Sequence, residues 1–186
     1  TYTVVLADGK SYDVKKIEWL HGEIVSKIDP KNQFVELASG REISYDKLLI
    51  ATGGEVKLIN EDVRGVSYFR TLDDTDHLVE LLRALPKDVR GGIYGGGFIA
   101  CEYLNMFQTF HVPTTIAFRG EHFWSHTISQ EAGTLINQHL EKNGVEVISN
   151  ATLLRTVGEK ELEGFVTPKG THPCGILGIG LGIEPH

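Results

Sequence analysis

The sequence contains few cysteines, no long apolar run and no excess of positive charge. Its 186 residues include two cysteines, and 18 Lys and Arg stand against 25 Asp and Glu, a net charge of −7. Nucleic-acid-binding surfaces are basic, so the acidic balance argues against such a partner. No apolar run approaches the roughly 18 residues of a membrane span. Two cysteines are too few for a disulfide-stapled secreted domain, and we expect a cytoplasmic globular protein.

Metal-ligand spacing and an initiating methionine are also missing. The eight histidines show no spacing with cysteines or carboxylates that is typical of a metal site. We therefore predict no bound metal. The sequence begins with Thr1, which suggests a piece of a longer protein or a processed chain.

Glycine, by contrast, is abundant, with 21 residues in 186 against an average share of about 7%. The densest run lies in RGGIYGGGFIACEY, residues 90–103, and fits the pattern G-x-G-x-x-G/A. In that pattern Gly95 permits a sharp turn, Gly97 lets a pyrophosphate approach the backbone, and small Ala100 allows close helix packing. The full run is Gly95, Gly96, Gly97, Phe98, Ile99 and Ala100. It predicts a dinucleotide site at a helix N-terminus, and the alternative is a tight turn that binds nothing.

The order of apolar segments predicts the fold around this run. Strands are predicted at 89–94, 114–118 and 145–149, with helices at 97–110 and from Thr127 or Ser129 to about Asn143. An earlier leucine-rich helix ends at Pro86. Strands that alternate with helices of this length imply a doubly wound, Rossmann-like parallel sheet. We assign residues 68–186 to this α/β domain.

Residues 1–67 follow a different pattern, with short alternating runs and turns. It predicts an antiparallel β-meander from Glu23 to Ser44 and a short hairpin around Asp8 and Gly9. The continuous apolar run Leu48–Ile50 predicts a strand buried on both faces. Residues 55–69 are interpreted as a linker.

The segment after the predicted strand 114–118 bears on the choice of nucleotide. An acidic residue at the end of such a strand holds the ribose hydroxyls of NAD, but this sequence has Phe118 and then Arg119. Arg119 can meet the 2′-phosphate of NADP, can stack on the adenine, or is only a solvated loop charge. Glu121 in the following loop can still reach the ribose, so the choice between NAD and NADP stays open. Phe123 and Trp124 follow in the same loop, where they pack beneath it, form a patch for a partner protein, or form a lid over the nucleotide.

Three motifs in order carry a resemblance to a known family. They are YDKLLIATGG (45–54), YGGGFIACEY (94–103) and GIGLGIEPH (178–186). Together they resemble the two-dinucleotide flavoprotein reductases of the pyridine nucleotide-disulfide oxidoreductase superfamily, in the ferredoxin-reductase-like and apoptosis-inducing-factor-like branch. The similarity covers about residues 23–186. It implies that residues 1–67 are part of an FAD domain and that 68–186 are the inserted NAD(P)-binding domain.

The resemblance also implies site residues. Ala51, Thr52 and Gly53 match an Ala-Thr-Gly element that touches the flavin cofactor, and Val25 matches a residue whose backbone meets the FAD adenine. The positions that match contacts to the nicotinamide cofactor are Gly96, Phe98, Ile99, Glu102 and Gly182. For Glu102 the alternative is a simple surface charge.

The resemblance implies an enzyme that passes a hydride from NAD(P)H to FAD. Electrons would continue to a ferredoxin, rubredoxin, quinone, oxygen or disulfide, and no side chain needs to act as a catalytic acid or base. The remaining FAD motifs would lie outside residues 1–186, so FAD is expected in the complete protein. The alternatives are a nucleotide-binding or redox-sensing module without turnover, and a dehydrogenase with one dinucleotide. The assembly state stays open between a monomer and a homodimer.

Overall fold

The computed structural model describes residues 16–59 and 63–186. The chain divides into two compact units, Thr1–Ala51 and Thr52–His186. This division precedes the predicted boundary at residue 67, and the assignment of the two predicted domains to FAD and nicotinamide nucleotide stays a prediction. The predicted hairpin at Asp8 and Gly9 lies outside the described residues.

The first unit contains a three-stranded antiparallel sheet in the order β1 (Val25–Asp29), β2 (Phe34–Leu37) and β3 (Glu42–Ser44). The predicted meander is therefore confirmed. The turn between β1 and β2 forms because the Asp29 carboxylate accepts hydrogen bonds from the backbone N–H groups of Lys31 and Asn32, at 3.1 and 2.9 Å.

The predicted strand at Leu48–Ile50 is wrong. These residues form no strand, and Leu49 and Ile50 are 88% and 61% exposed. A short apolar run has no helical or strand period of its own, and a central strand also needs neighbours that accept its backbone hydrogen bonds. No strand of the described residues pairs with this segment.

The second unit contains three helices and ten strands among its described residues. In chain order they are β4 (Gly54–Val56), β5 (Val66–Ser67), α1 (Leu72–Ala84), β6 (Gly91–Tyr94), α2 (Phe98–Thr109), β7 (Thr114–Ala117), α3 (Gln130–Lys142), β8 (Glu146–Ile148), β9 (Arg155–Val157), β10 (Gly164–Thr167), β11 (Gly170–Pro173), β12 (Ile176–Ile179) and β13 (Ile183–Pro185). The interpretation of 55–69 as a linker is wrong, because this segment contributes to β4 and contains β5.

Five strands form a parallel sheet in the order β5-β12-β6-β7-β8. The predicted doubly wound sheet is confirmed. From β6 the chain runs outward through β7 and β8, whereas β12 returns on the other side of β6. The side of the sheet on which strands are added therefore changes between β6 and β12, although the two strands are parallel. Ligands of such sheets bind beyond the carboxyl ends of the strands at this switch point.

Two smaller antiparallel sheets complete the second unit. One has the order β11-β10-β9, and the other pairs β13 with β4. The β4–β13 pair joins the first described strand of this unit to its last, with Gly54 opposite Pro185.

Helix α2 lies close to the parallel sheet because glycines leave room for its aromatic side chains. A Cβ on Gly178 would lie 2.6 Å from the ring of Tyr103, and one on Gly91 would meet Phe107. Both aromatic side chains are fully buried. The Tyr103 hydroxyl donates to the Ser67 carbonyl oxygen at 2.8 Å, which satisfies the one polar atom this packing buries.

Two features are absent from the described residues, a membrane-spanning helix and a metal-binding cluster. Among residues 16–59 and 63–186, no helix is long and apolar enough to cross a bilayer. In the same part of the chain, no three histidine, cysteine or carboxylate side chains come together as a metal site would require.

Candidate functional site

The glycine run forms a tight turn at the carboxyl end of β6. Gly95 has a φ of 141°, and a Cβ there would meet the carbonyl oxygen of Gly180. Its N–H donates to the Ala117 carbonyl oxygen at 2.9 Å, and the Gly180 N–H donates to the Tyr94 carbonyl oxygen at 2.8 Å. The turn is therefore held between the ends of β7 and β12, where only a residue without a side chain fits.

Helix α2 begins directly after this turn and has a bare N-terminus. Its N-cap residue, Gly97, makes no side-chain capping hydrogen bond, and the first turn contains no acidic residue. An ideal Cβ on Gly97 would have nothing within 4 Å, so open space lies next to the first N–H groups. Exposed N–H groups and the positive end of the helix dipole attract a phosphate.

A cavity of about 200 Å³ lies on one side of the glycine turn. It is bounded by the turn itself and by the loop after β7, whose lining residues are Phe118, Arg119, Gly120, His122, Trp124, Ser125, His126 and Thr127. No aspartate or glutamate is among the described residues that line it. We call it the first cavity, and its polar lining suits an anionic group.

A second cavity of about 780 Å³ lies on the other side of the turn. Its walls come from the start of α1, the first turns of α2 and the segment after β12, and they include Phe69, Arg70, Thr71, Thr75, Ile99, Glu102, Leu181, Gly182 and Ile183. Gly97, Phe98, Gly180 and Leu181 line both cavities. The two cavities thus meet at the N-terminus of α2, as the two halves of one extended ligand would require.

The β4–β13 pair brings the end of the motif 45–54 and the motif 178–186 together beside the second cavity. The Lys57 N–H donates to the Gly182 carbonyl oxygen at 3.1 Å, just beyond the strand pairing. Arg70, which lines the cavity, donates from Nε to the Gly54 carbonyl oxygen at 3.4 Å. Gly54 and the closing Gly182 segment are therefore joined by hydrogen bonds around one two-stranded sheet.

Comparison with protein families agrees with this arrangement. The model of the family described as "Pyridine nucleotide-disulphide oxidoreductase" matches residues 5–186. The chain belongs to this family. The match begins earlier than residue 23, where the resemblance in the sequence becomes readable.

Named relatives of this chain are reductases. It is 27% identical to the biphenyl dioxygenase system ferredoxin–NAD(+) reductase component of Paraburkholderia xenovorans, over 97% of this chain and 44% of that protein. It is 29% identical to the peroxisomal monodehydroascorbate reductase 2 of Oryza sativa subsp. japonica, over 96% of this chain and 39% of that protein. The chain spans less than half the length of these relatives.

Solved structures confirm the fold. The ferredoxin reductase for the CYP199A2 system from Rhodopseudomonas palustris superposes with a TM-score of 0.80, at 21% identity, over 99% of this chain and 46% of that one. The putidaredoxin reductase–putidaredoxin complex superposes with a TM-score of 0.78, at 21% identity, over 97% and 45%. At this identity the likeness concerns the fold alone.

In this member of the family, most predicted site residues surround the two cavities. Gly95, Gly96 and Arg119 line the first cavity, whereas Ile99, Glu102 and Gly182 line the second. Ala100 is fully buried in the first turn of α2. The exposed Thr52 and Gly53 precede β4, and Gly53 has a φ of 75°.

The other two predicted residues lie in the first unit. Val25 is the first residue of β1 and is 50% exposed, and Ala51 is the last residue of the unit. Their roles toward FAD stay predictions.

Several contributors to the cavities escaped the sequence reasoning, and Arg70, Thr71 and Gly180 are examples. Arg70 and Thr71 precede or cap α1, and Gly180 follows β12. The alternation Gly178, Gly180 and Gly182 was the available signal for Gly180, because regularly placed glycines after a buried strand often mark close approach of another segment. Nothing in the sequence around Arg70 distinguishes it from a solvated charge.

Neither cysteine is suited to thiol chemistry. Burial raises the pKa of the Cys174 thiol to about 12, and burial together with the charge of Glu102 raises the pKa of Cys101. Both are free. Because the thiolate is the reactive form, the raised pKa values disfavour a nucleophilic role for both thiols, and most strongly for the buried Cys174.

Proposed function

We propose that this chain is the nicotinamide-nucleotide part of a flavin-dependent oxidoreductase. The observation that carries the proposal is the uncapped N-terminus of α2, which lies at the switch point of the parallel sheet with a cavity on each side. An extended dinucleotide fits this geometry, with its pyrophosphate at Gly97 and one nucleoside half in each cavity. Family membership supports both the nucleotide and the flavin.

The residues of the chain would bind and orient the nucleotide rather than exchange protons. Backbone N–H groups at the start of α2 would hold the pyrophosphate. Ile99 and Gly182 would lie beside the nicotinamide half, where the apolar wall formed by Phe69, Ile99 and Leu181 keeps water away. When bound, the nicotinamide and the flavin supply the hydride chemistry.

The flavin would contact the Ala-Thr-Gly element, through Ala51, Thr52 and Gly53, with Val25 toward its adenine. Support comes from the β4–β13 pair, which joins the segment after Gly53 to the segment after Gly182. A flavin at Thr52 and Gly53 would therefore be next to the second cavity, where the nicotinamide is proposed to bind.

We further propose that the nucleotide is NADP(H). Arg119 lines the first cavity, and none of the described lining residues carries the carboxylate that would hold a free ribose 2′-hydroxyl. His126 and Ser125 add polar groups to the same wall. An added 2′-phosphate would find a cation and hydrogen-bond donors there, and no like charge.

For the electron acceptor we propose a small redox protein. Relatives named as ferredoxin–NAD(+) reductases support this choice, as does the solved complex of putidaredoxin reductase with putidaredoxin. Monodehydroascorbate reductase and nitrite reductase relatives represent the other acceptors.

The test is a fluorescence titration of the chain with NADPH and NADH. The wild type should bind with saturation, and Gly97→Val should lose at least about 100-fold in affinity because its side chain fills the space of the pyrophosphate. Thr109→Val is the control, since it adds the same side chain at an exposed position of α2 outside both cavities. Absence of saturable binding to the wild type refutes the proposal.

A second measurement separates the enzyme from a non-catalytic module. Absorbance near 450 nm should identify flavin in the complete protein, and NADPH should bleach it. A complete protein that binds NADPH but never carries flavin would instead be the nucleotide-binding module.

A further inference from the structure

Trp124 carries a polar atom that the described structure leaves unsatisfied. Its indole Nε1 is buried and has no hydrogen-bond partner, the single such side-chain nitrogen or oxygen in residues 16–59 and 63–186. Indole N–H is a donor only, and a buried donor without an acceptor is unfavourable. Because Trp124 lines the first cavity, a ligand bound in that cavity is a source of the missing acceptor.

The backbone of Trp124 is also unusual. Its φ of 55° lies in the left-handed region, which bulky side chains rarely adopt. The conformation is held by a hydrogen bond from the Trp124 N–H to the Gly96 carbonyl oxygen at 2.8 Å, and by the N–H of Thr127, which donates to the Trp124 carbonyl oxygen at 2.8 Å. Two unfavourable features at one residue of a cavity wall indicate a functional constraint.

The indole ring contacts two other aromatic rings. Its centroid lies 5.2 Å from that of Phe98, the first residue of α2, and 5.7 Å from that of Phe123, which is fully buried. The loop after β7 is therefore joined to the start of α2 through both the backbone and the ring of Trp124. This is the end of the helix at which a phosphate is proposed to bind.

We propose that Trp124 is a positioning residue of the dinucleotide site, whose indole N–H donates to a phosphate oxygen of the bound nucleotide. This inference rests on the proposed function. Ser125, His126 and Thr127 also line the first cavity but leave the indole N–H without a partner in this structure, and a phosphate oxygen of the bound nucleotide would supply the missing acceptor. Nε1 is buried here, so the proposal includes a rotation of the indole toward the cavity when the nucleotide binds.

The chain offers a direct test because it has two tryptophans. A ¹⁵N–¹H spectrum contains two indole N–H signals, which Trp124→Phe and Trp19→Phe assign. Addition of NADP⁺ should move the Trp124 signal downfield, because its N–H gains an acceptor. Trp19 lines neither cavity, and its signal serves as the internal comparison.

The affinity of Trp124→Phe provides the second measurement. Phenylalanine keeps an aromatic ring against Phe98 but removes the N–H, and we expect NADP⁺ to bind about tenfold more weakly. The inference is overturned if NADP⁺ shifts the backbone signals of Gly96 and Gly97 while the Trp124 indole signal stays in place. If NADP⁺ shifts no signal at all, the proposed function fails with it.

Discussion

The three helices in the described part of the chain differ in which side chains cap their N-termini. Helix α1 closes its own end with a capping box, in which the Thr71 side chain accepts from the Asp74 N–H and the Asp74 carboxylate accepts from the Thr71 N–H at 2.7 Å. Helix α3 uses the Ser129 hydroxyl, which accepts from the Ala132 N–H at 3.4 Å. Helix α2 has Gly97 as its N-cap residue, without a side-chain cap, and its first turn contains no acidic residue.

This difference shows which helix start leaves its N–H groups without a side-chain cap. Four N–H groups at every helix start lack intrahelical partners, and a protein usually satisfies them with its own side chains. Here α1 and α3 do so, whereas α2 leaves its donors available between two cavities. A site that binds an anion must give up the stabilisation that a cap would provide.

The strongest test of this comparison is to give α2 a cap of its own. The extended backbone of Gly97, with φ −119° and ψ −158°, suits an N-cap residue. Gly97→Asp should keep the free energy of unfolding or raise it by a few tenths of a kcal/mol. NADPH affinity should fall at least about 100-fold, because the new carboxylate occupies and repels the phosphate position. Calorimetric unfolding and fluorescence titration measure the two effects.

The matched control for Gly97→Asp removes a cap elsewhere. Ser129→Ala should lower the free energy of unfolding by about 1 kcal/mol and leave NADPH affinity unchanged, since Ser129 lines neither cavity. If Gly97→Asp binds NADPH as the wild type does, the bare end of α2 is not the phosphate site.

The charges near the three helix N-termini also differ. Acidic residues stand in the first turns of α1 and α3, whereas the first cavity has Arg119 and no described carboxylate. Arg119→Glu should change the ratio of NADPH to NADH affinity by about tenfold or more in favour of NADH. Arg83→Glu, a change of the same charge in the last turn of α1, should leave the ratio unaltered. An unchanged ratio in Arg119→Glu would make Arg119 a solvated charge.

The smallest expected effect concerns the cap of α1. Burial opposes the charge of Asp74, but hydrogen bonds from Thr71 and Arg70 outweigh it, and the pKa of this carboxyl is lowered below 3.8. A lowered pKa stabilises the fold above pH 3.8, and this contribution is lost as the pH falls through the folded-state value. Asp74→Asn should therefore destabilise the protein by about 0.5 kcal/mol at pH 7, and by progressively less below pH 4.

Denaturant unfolding of wild type and Asp74→Asn across this pH range measures the difference. NADPH affinity at pH 7 should be equal in the two proteins. A difference in stability that stays constant down to pH 3 would show that the carboxylate charge plays no part in the cap.

The sequence was most informative where local chemistry decides the structure. The run from β6 to β8 has apolar strands, a glycine turn and a Ser129 cap, so its order and limits follow from propensity and capping alone. The glycine pattern likewise predicted the sharp turn at Gly95, because no side chain fits against Gly180.

The sequence was least informative where segments that are distant in the chain meet. Strands β4 and β13 are three residues long and form because they pair with each other. Their paired residues are 127 or more positions apart in the chain, so a local sequence pattern cannot predict the pairing. The exposed Leu48–Ile50 run is the opposite case, since its composition suits a strand but no described strand pairs with it. The unpaired indole of Trp124 also required coordinates, because a hydrogen bond that is missing leaves no trace in composition.

The pairing of Gly54 with Pro185 places the first and last described strands of the second unit side by side. Neither β4 nor β13 pairs with another described strand, so neither can open without exposing the backbone N–H and C=O groups of the other.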